Sequence, residues 1–168
     1  FAGLTEEGLP TFYVDKDHTQ IAGPGSYDLV NFQEFYDNVD YLKYEGTVDP
    51  TIMGSFGNTF SWKGLKLNVF FTYSFGNVLR LDPLCYVYGS QYSDLTASMK
   101  EMKNRWVVPG DEQRTTIPAI ATVRQMGEIN DLTNAYSAYN YSTERVAKGD
   151  FIRLKELSLA YDLPKKYF

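Results

Sequence analysis

Apolar and polar residues alternate along two neighbouring stretches of the chain, Ile52–Trp62 and Leu65–Phe75. In the first stretch, every aromatic residue occupies the same set of alternate positions. In the second, the odd-numbered positions are all apolar and the even-numbered positions are polar, with Phe70 as the one exception. Successive side chains of a β-strand point to opposite faces, so this period of two predicts two strands, each with one apolar face. Lys63-Gly64 between them is typical of a two-residue hairpin turn, because glycine accepts positive φ.

A third alternating stretch begins at Phe151. Its shared apolar positions are Leu157, Leu159, Tyr161 and Leu163. Proline lacks the N–H that a strand needs, so Pro164 is predicted to end this strand, and residues 164–166 are predicted to form a short turn. The pattern therefore predicts a third strand, far along the chain from the hairpin.

The remaining segments are less regular. Residues 1–50 are punctuated by glycine, proline and aspartate, which favours loops with short extended pieces. Farther on, four apolar residues follow one another at intervals of three or four: Leu95, Met99, Met102 and Trp106. This spacing predicts a short helix near 94–105, which Pro109-Gly110 would end. Residues 110–150 show no clear period, so we predict an irregular loop there.

Composition excludes several classes of site. The chain has one Cys and one His, which rules out an internal disulfide, a multi-Cys zinc site and paired-His chemistry. Asp15, Asp17 and Thr19 resemble the start of a calcium loop, but Gln20 stands where that motif needs glycine. The net charge is −5, with no block of basic residues, which argues against nucleic acid as a partner. We therefore expect no enzyme activity, no catalytic residues, no metal and no cofactor.

Two environments could cover the apolar faces of the strands. In a soluble β-sandwich they would pack on a second sheet; in an outer-membrane β-barrel they would face lipid while the other face lined a polar interior. The predicted strands exceed the usual sandwich strand of about 5–6 residues and match the roughly 9–11 residues that cross a bilayer. Aromatic residues stand at the strand ends, and short turns alternate with one long connection. These features favour an all-β fold of antiparallel outer-membrane barrel strands with long extracellular loops.

Three segments resemble one family. The run YLKYEGTVDPTIMGSFGNTFSWKGLKLNVFFTYSFGN (Tyr41–Asn77) is similar to the C-terminal barrel region of SusC/RagA-family TonB-dependent transporters. NRWVVPGDE (Asn104–Glu112) resembles a loop segment of that family, and RVAKGDFIRLKELSLAYDLPKKY (Arg145–Tyr167) resembles one of its strands. The resemblance implies an outer-membrane barrel of about 22 strands with an N-terminal plug, importing glycans or peptides. It also implies a SusD-like surface lipoprotein as partner at the extracellular loops, and TonB acting only through the plug.

The resemblance implies a division of this chain into four parts. Residues 1–50 would be an extracellular loop region, 51–77 a barrel hairpin, 78–150 a long extracellular loop carrying the short helix, and 151–168 a barrel strand with a periplasmic turn. Because the chain begins at Phe1 and stops within a patterned segment, we expect it to be a piece of a longer protein. Three or four strands cannot close a barrel, so the functional unit would also be longer.

The strand pattern predicts which side chains face lipid. They are Leu65, Leu67, Val69, Phe71, Tyr73, Phe75, Leu157, Leu159 and Tyr161. Simple alternation places Arg153 and Lys155 on the same face as Leu157. A cation at the middle of the bilayer costs about 2–4 kcal/mol, so we expect both cations to lie above the hydrocarbon or to reach the headgroups.

Aromatic residues of the loops are the candidate contacts for a ligand or a partner, since such rings stack on sugars and anchor protein interfaces. They are Tyr86, Tyr88, Tyr92, Trp106, Tyr136, Tyr139 and Tyr141. The alternative is that these rings pack the loops against each other. A soluble carbohydrate-binding β-sandwich is the second functional hypothesis, and an enzyme is disfavoured because no catalytic constellation is present.

Overall fold

The structure is a computed structural model that describes residues 1–30, 42–84 and 100–163. The chain divides into two compact units. We call one the loop unit (Phe1–Tyr44 and Arg80–Val146) and the other the sheet unit (Glu45–Leu79 and Ala147–Phe168). No helix among the described residues has both the length and the hydropathy needed to cross a bilayer.

Most of the regular structure is antiparallel β-sheet. The strands in chain order are β1 (Gly3–Leu4), β2 (Pro10–Tyr13), β3 (Ile21–Ala22), β4 (Ile52–Trp62), β5 (Leu65–Phe75), β6 (Val78–Arg80), β7 (Val146–Lys148) and β8 (Phe151–Tyr161). Two α-helices lie in the described part of the loop unit, α1 (Val123–Glu128) and α2 (Leu132–Tyr141). Short 3-10 helices cover Tyr27–Val30, Lys100–Asn104, Asp111–Gln113 and Thr143–Arg145. The small strands pair in the order β1-β2-β3, and β6 pairs with β7.

The sheet unit is built on three strands of 11 residues each, in the order β4-β5-β8. The predicted hairpin is confirmed. Trp62 pairs with Leu65, and between them Lys63 and Gly64 adopt φ of 47° and 86°, the left-handed region that a two-residue turn requires. The third predicted strand is confirmed as β8, which pairs antiparallel with β5 and ends at Tyr161. The predicted turn at 164–166 lies outside the described residues.

A β-bulge interrupts the pairing of β5 with β8. Phe70 pairs with Glu156 and Phe71 pairs with Leu154, which leaves Lys155 without a partner across the ladder. One unpaired residue shifts the alternation by one position. The prediction for Arg153 is therefore wrong: it pairs with Thr72, on the polar face, and Leu154 takes the apolar face. Lys155 is the inserted residue, so simple alternation does not assign it a face.

The register gives the sheet one apolar and one polar face. The apolar face carries Ile52, Gly54, Phe56, Asn58, Phe60 and Trp62 of β4, Leu65, Leu67, Val69, Phe71, Tyr73 and Phe75 of β5, and Ile152, Leu154, Leu157, Leu159 and Tyr161 of β8. The opposite face is mainly Ser, Thr, Asn, Lys and Glu, with Met53 and Phe151 at one end and Phe70 in the middle of β5. All nine residues that were predicted to face lipid therefore lie on one side of the sheet.

The loop unit has its own small core, built largely from aromatic rings and the buried side of α2. Residues 110–150 were predicted to be irregular, and that prediction is wrong. Leu132, Ala135, Tyr136 and Tyr139 are spaced by three, one and three positions, so they form one face of α2 and are all buried. Helix α1 begins with a capping box, in which Thr122 and Gln125 exchange hydrogen bonds between side chain and backbone.

The helix predicted near 94–105 is described only from Lys100. The described part is a 3-10 helix, Lys100–Asn104, and residues 85–99 lie outside the described ranges. Met102 is buried, as a stripe residue should be, and Trp106 is half-buried just beyond the helix. The segment before Pro109-Gly110 is therefore helical in part, with tighter 3-10 geometry where it is described.

Candidate functional site

The apolar face of the sheet is exposed on both outer strands. Phe56 and Phe60 of β4 are 61% and 57% exposed, and Leu157 and Leu159 of β8 are 63% and 68% exposed. Side chains of the central strand β5 are mostly half-buried, because neighbours lie on both sides. Burying a Leu or Phe side chain in an apolar medium contributes about 1.5–3 kcal/mol. Covering this face with an apolar medium would therefore stabilise the sheet.

Strand length and strand ends suit a membrane. Eleven residues in extended conformation span roughly 36 Å, and a strand tilted by about 45° crosses the hydrocarbon in about 9–11 residues. Trp62 and Tyr161 lie at the turn end of the apolar face, where the Lys63 ammonium lies 4.9 Å from the Trp62 ring centroid. Tyr73 and Phe75 stack at the other end, with centroids 5.7 Å apart. Aromatic residues at both ends are typical of strands that cross two lipid–water interfaces.

A hydrogen-bonded row of side chains crosses the polar face. The Thr59 hydroxyl donates to Asn68 Oδ1 at 3.1 Å, and Asn68 Nδ2 donates to Glu156 Oε1 at 2.6 Å. Near the turn, Lys66 and Asp162 form an ion pair of 2.8 Å. The three strands are thus joined by side-chain hydrogen bonds as well as by the backbone ladder, and these bonds fix the orientation of the polar side chains.

The ends of β5 and β8 away from the Lys63-Gly64 turn are fastened together. The Gly76 N–H donates to Asp150 Oδ1 at 2.7 Å, and the Gly149 N–H donates to the Asn77 carbonyl at 2.8 Å. A Cβ at Gly149 would collide with the Asn77 side-chain amide, so a larger residue there would require that side chain to move. We call these four residues the strand-end clasp.

The candidate aromatic residues of α2 divide by burial. Tyr136 and Tyr139 are 2% and 1% exposed, and the Tyr136 hydroxyl donates to the Ala119 carbonyl at 2.6 Å. In this arrangement their rings pack inside the loop unit, as the alternative interpretation expects. Tyr141 on the same helix is exposed, and the Arg80 guanidinium lies 5.5 Å from its ring centroid. The Tyr141 ring is therefore accessible at the surface of the loop unit, and the rings of Tyr136 and Tyr139 are not.

Trp106 anchors a tight loop. Its indole Nε1 donates to Glu112 at 3.1 Å, and its ring packs over Gly8, where an added Cβ would collide with it. Asp111 accepts the Val108 and Val107 N–H groups, which lowers the pKa of that carboxyl. The pKa of Glu112 is lowered by its own N–H and by the Trp106 indole. Trp106 is thus a half-buried packing residue. The other candidates, Tyr86, Tyr88 and Tyr92, lie outside the described ranges.

The acidic turn at Asp15 is closed by its own backbone. Asp15 accepts hydrogen bonds from the N–H groups of Thr19 and Gln20 and from the Thr19 hydroxyl, and these bonds lower its pKa. Among the described residues, no three His, Cys, Asp or Glu side chains are grouped so that they could hold a metal ion. The Asp15 carboxylate therefore stabilises the turn by accepting these hydrogen bonds.

Arg145 has a structural role that the sequence analysis did not identify. It is 3% exposed, forms a 2.6 Å ion pair with Glu101, and donates to the Asp82 carbonyl at 2.6 Å. It therefore links three segments of the loop unit that lie far apart in sequence. No local pattern marks it, because its partners are distant along the chain.

The described architecture is that of antiparallel strands carrying a helix-containing insertion. No family model matches the chain, and no curated protein matches it. Among solved structures, the chain is similar to part of the RagAB peptide importer in its "open-open" state, with a TM-score of 0.53 and 24% sequence identity. The match covers 99% of this chain and 15% of that one. At this identity the likeness shows the fold, and the fold is that of one segment of a much longer transport protein.

Proposed function

We propose that the chain forms part of the wall and the extracellular loops of a TonB-dependent outer-membrane importer. The observation that carries the proposal is the two-faced sheet, whose apolar side chains are exposed along strands long enough to cross a bilayer. Barrel strands combine an apolar lipid face with a polar interior face, and this sheet has both. The similarity to a segment of a peptide importer supports the same interpretation.

Peptides are the cargo class that the comparison favours, within the glycans or peptides that the family resemblance implies. The loop unit would lie outside the cell, where Tyr141 and the rim of the loops would contact cargo or a SusD-like lipoprotein. TonB would act through a plug in another part of the longer chain. The sheet would supply no chemistry of its own, so the protein would transport its cargo and not transform it.

Nitroxide labels at Leu67 and Val69, compared with labels at Lys66 and Thr72, test the proposal in the full-length protein reconstituted in bilayers. We expect oxygen, which is lipid-soluble, to quench the first pair and a water-soluble nickel chelate to quench the second. Quenching without this period of two would contradict the barrel.

The soluble β-sandwich makes the opposite prediction. It needs a second apolar layer over the Leu65–Phe75 face, and a protein built that way disperses without detergent. A full-length parent protein that stays monomeric in buffer alone would favour the sandwich over the barrel.

A further inference from the structure

Phe70 is an aromatic residue in the middle of the polar face, and neither the barrel wall nor the loop core accounts for it. It pairs with Gly57 on β4 and with Glu156 on β8. A Cβ at Gly57 would lie 2.7 Å from Phe70 Cδ2, so the ring lies over β4 at the place where that strand has no side chain. The ring remains 36% exposed. Phe70 thus presents an aromatic surface in the middle of a face that is mainly polar.

The Glu156 carboxylate beside it is oriented through one of its two oxygens. Asn68 Nδ2 donates to Oε1 at 2.6 Å, and the Ser158 hydroxyl lies 3.4 Å from the same oxygen. Asn68 is itself held by Thr59. In the part of the chain that the structure describes, Oε2 accepts no hydrogen bond. The side chain is exposed, so Oε2 is open to a donor from outside the sheet.

Two cations on the same face of the sheet are engaged with other groups. Lys66 pairs with Asp162 at 2.8 Å, and the Arg153 guanidinium lies 5.0 Å from the Phe151 ring centroid. Among the described residues, Glu156 forms no ion pair. An oriented carboxylate without a countercharge, next to an aromatic ring, is complementary to a cation, which gains a charged hydrogen bond and attraction to the ring.

We propose that Glu156 and Phe70, with Asn68 as a positioning residue, form a binding site for the guanidinium or ammonium group of a basic residue in a peptide cargo. This binding site rests on the proposed function, because only in a barrel wall does the polar face line the path of the cargo. It deepens that function by naming the peptide side chains that the wall recognises. The pair ends the regular ladder that begins at Leu65 and Tyr161, and the β-bulge follows it directly.

The experiment uses full-length protein and two fluorescent peptides that differ only at a central residue, arginine in one and citrulline in the other. Citrulline keeps the shape of arginine without its charge. We expect the wild type to bind the arginine peptide more tightly. Glu156→Gln should weaken that binding about two- to fivefold, the range of a solvent-accessible ion pair, and leave the citrulline peptide unchanged. Phe70→Leu should weaken arginine binding by a smaller factor.

Glu7→Gln is the matched control, because Glu7 is an exposed carboxylate of the loop unit. An equal loss of arginine binding in Glu7→Gln would mean that only overall charge matters, and would overturn the site. An equal loss for both peptides in Glu156→Gln would assign Glu156 a purely structural role and would also overturn it. If the wild type bound neither peptide, peptide import itself would be contradicted, an outcome distinct from the other two.

Discussion

The two units place their apolar side chains in opposite environments. The loop unit gathers Tyr27, Tyr136 and Tyr139 into a core where each ring is almost fully buried. The sheet unit leaves large side chains such as Trp62 and Ile152 about 70% exposed. A core of rings is stable in water, whereas a two-faced sheet of long strands is stable only when something apolar covers one face. The comparison teaches that one unit supplies its own apolar interior and the other does not, and four changes test this contrast.

The largest effect is expected for Tyr136→Ala in the loop unit. The change removes a buried ring and leaves the Ala119 carbonyl without its donor, so we expect the loop unit to lose about 3 kcal/mol or more of stability. Hydrogen exchange of the α2 amides in the full-length protein measures this loss. Tyr141→Ala on the same helix is the control and should change stability by no more than about 0.5 kcal/mol. Equal effects of the two changes would mean that α2 lacks a buried side.

Arginine substitutions test the sheet unit. Val69 lies in the middle of β5 on the apolar face, and Thr72 lies on the polar face. We expect Val69→Arg to destabilise the folded protein in lipid vesicles by about 2–4 kcal/mol, and Thr72→Arg to cost much less. Denaturant titration of the full-length protein in vesicles measures both. Similar losses of unfolding free energy for the two substitutions would mean that both faces of the sheet meet the same environment.

Deleting Lys155 tests whether this residue is the one inserted in β8. Lys155 has no partner across the ladder, so its removal should leave Leu154 and Glu156 in regular alternation, with Ile152 still on the apolar face and Arg153 still on the polar face. We expect the cost in stability to be about 1 kcal/mol or less, because no ladder pair is lost. Nitroxides at positions 152 and 159 should therefore both keep their oxygen quenching after the deletion. A label at 152 that changed to nickel quenching would show that β8 has no bulge at Lys155.

The smallest effect is expected for acid on the Trp106 loop. The pKa values of Asp111 and Glu112 lie below their ordinary values of 3.8 and 4.5. Their contribution to stability is therefore complete above those ordinary values and is lost as the pH falls through the lower pKa values of the folded state. Trp106 fluorescence in a Trp62→Phe background should report a small transition below about pH 4. Asp111→Asn should reduce this transition, and an unaltered transition would assign it to other groups.

The strands of the sheet unit were predictable because their signals are local. The bounds of β4 and β5 agree with the alternating stretches, since a period of two and a Lys-Gly turn are properties of adjacent residues. The bulge was not predictable from β8 alone. Its unpaired residue, Lys155, lies between Leu154 and Glu156, and only pairing with β5 reveals which residue is the extra one.

The helical core of the loop unit was missed for a different reason. The buried positions of α2, among them Leu132 and Tyr139, do follow a helical spacing. Asn, Ser and Tyr fill much of the helix, and their modest helix propensity conceals that spacing. Arg145 and the Glu156–Phe70 pair depend on residues that meet only in the folded chain. Local sequence patterns therefore predict the secondary structure elements. Which side chains come together in a site depends on how the strands and helices pair in the folded chain.

The strand-end clasp has a consequence for how the sheet tolerates changes in the segment between its ends. Gly76, Asn77, Gly149 and Asp150 hold the two points where the chain leaves the sheet and returns to it. The entropy of closing a loop grows only with the logarithm of its length, at about 0.6 kcal/mol for each doubling. Segments of very different size could therefore be inserted between these points at nearly constant cost to the strands. The clasp thus holds the strand ends whatever the length between them, whereas the core that residues 78–148 share with residues 1–30 ties any replacement to the packing of the loop unit.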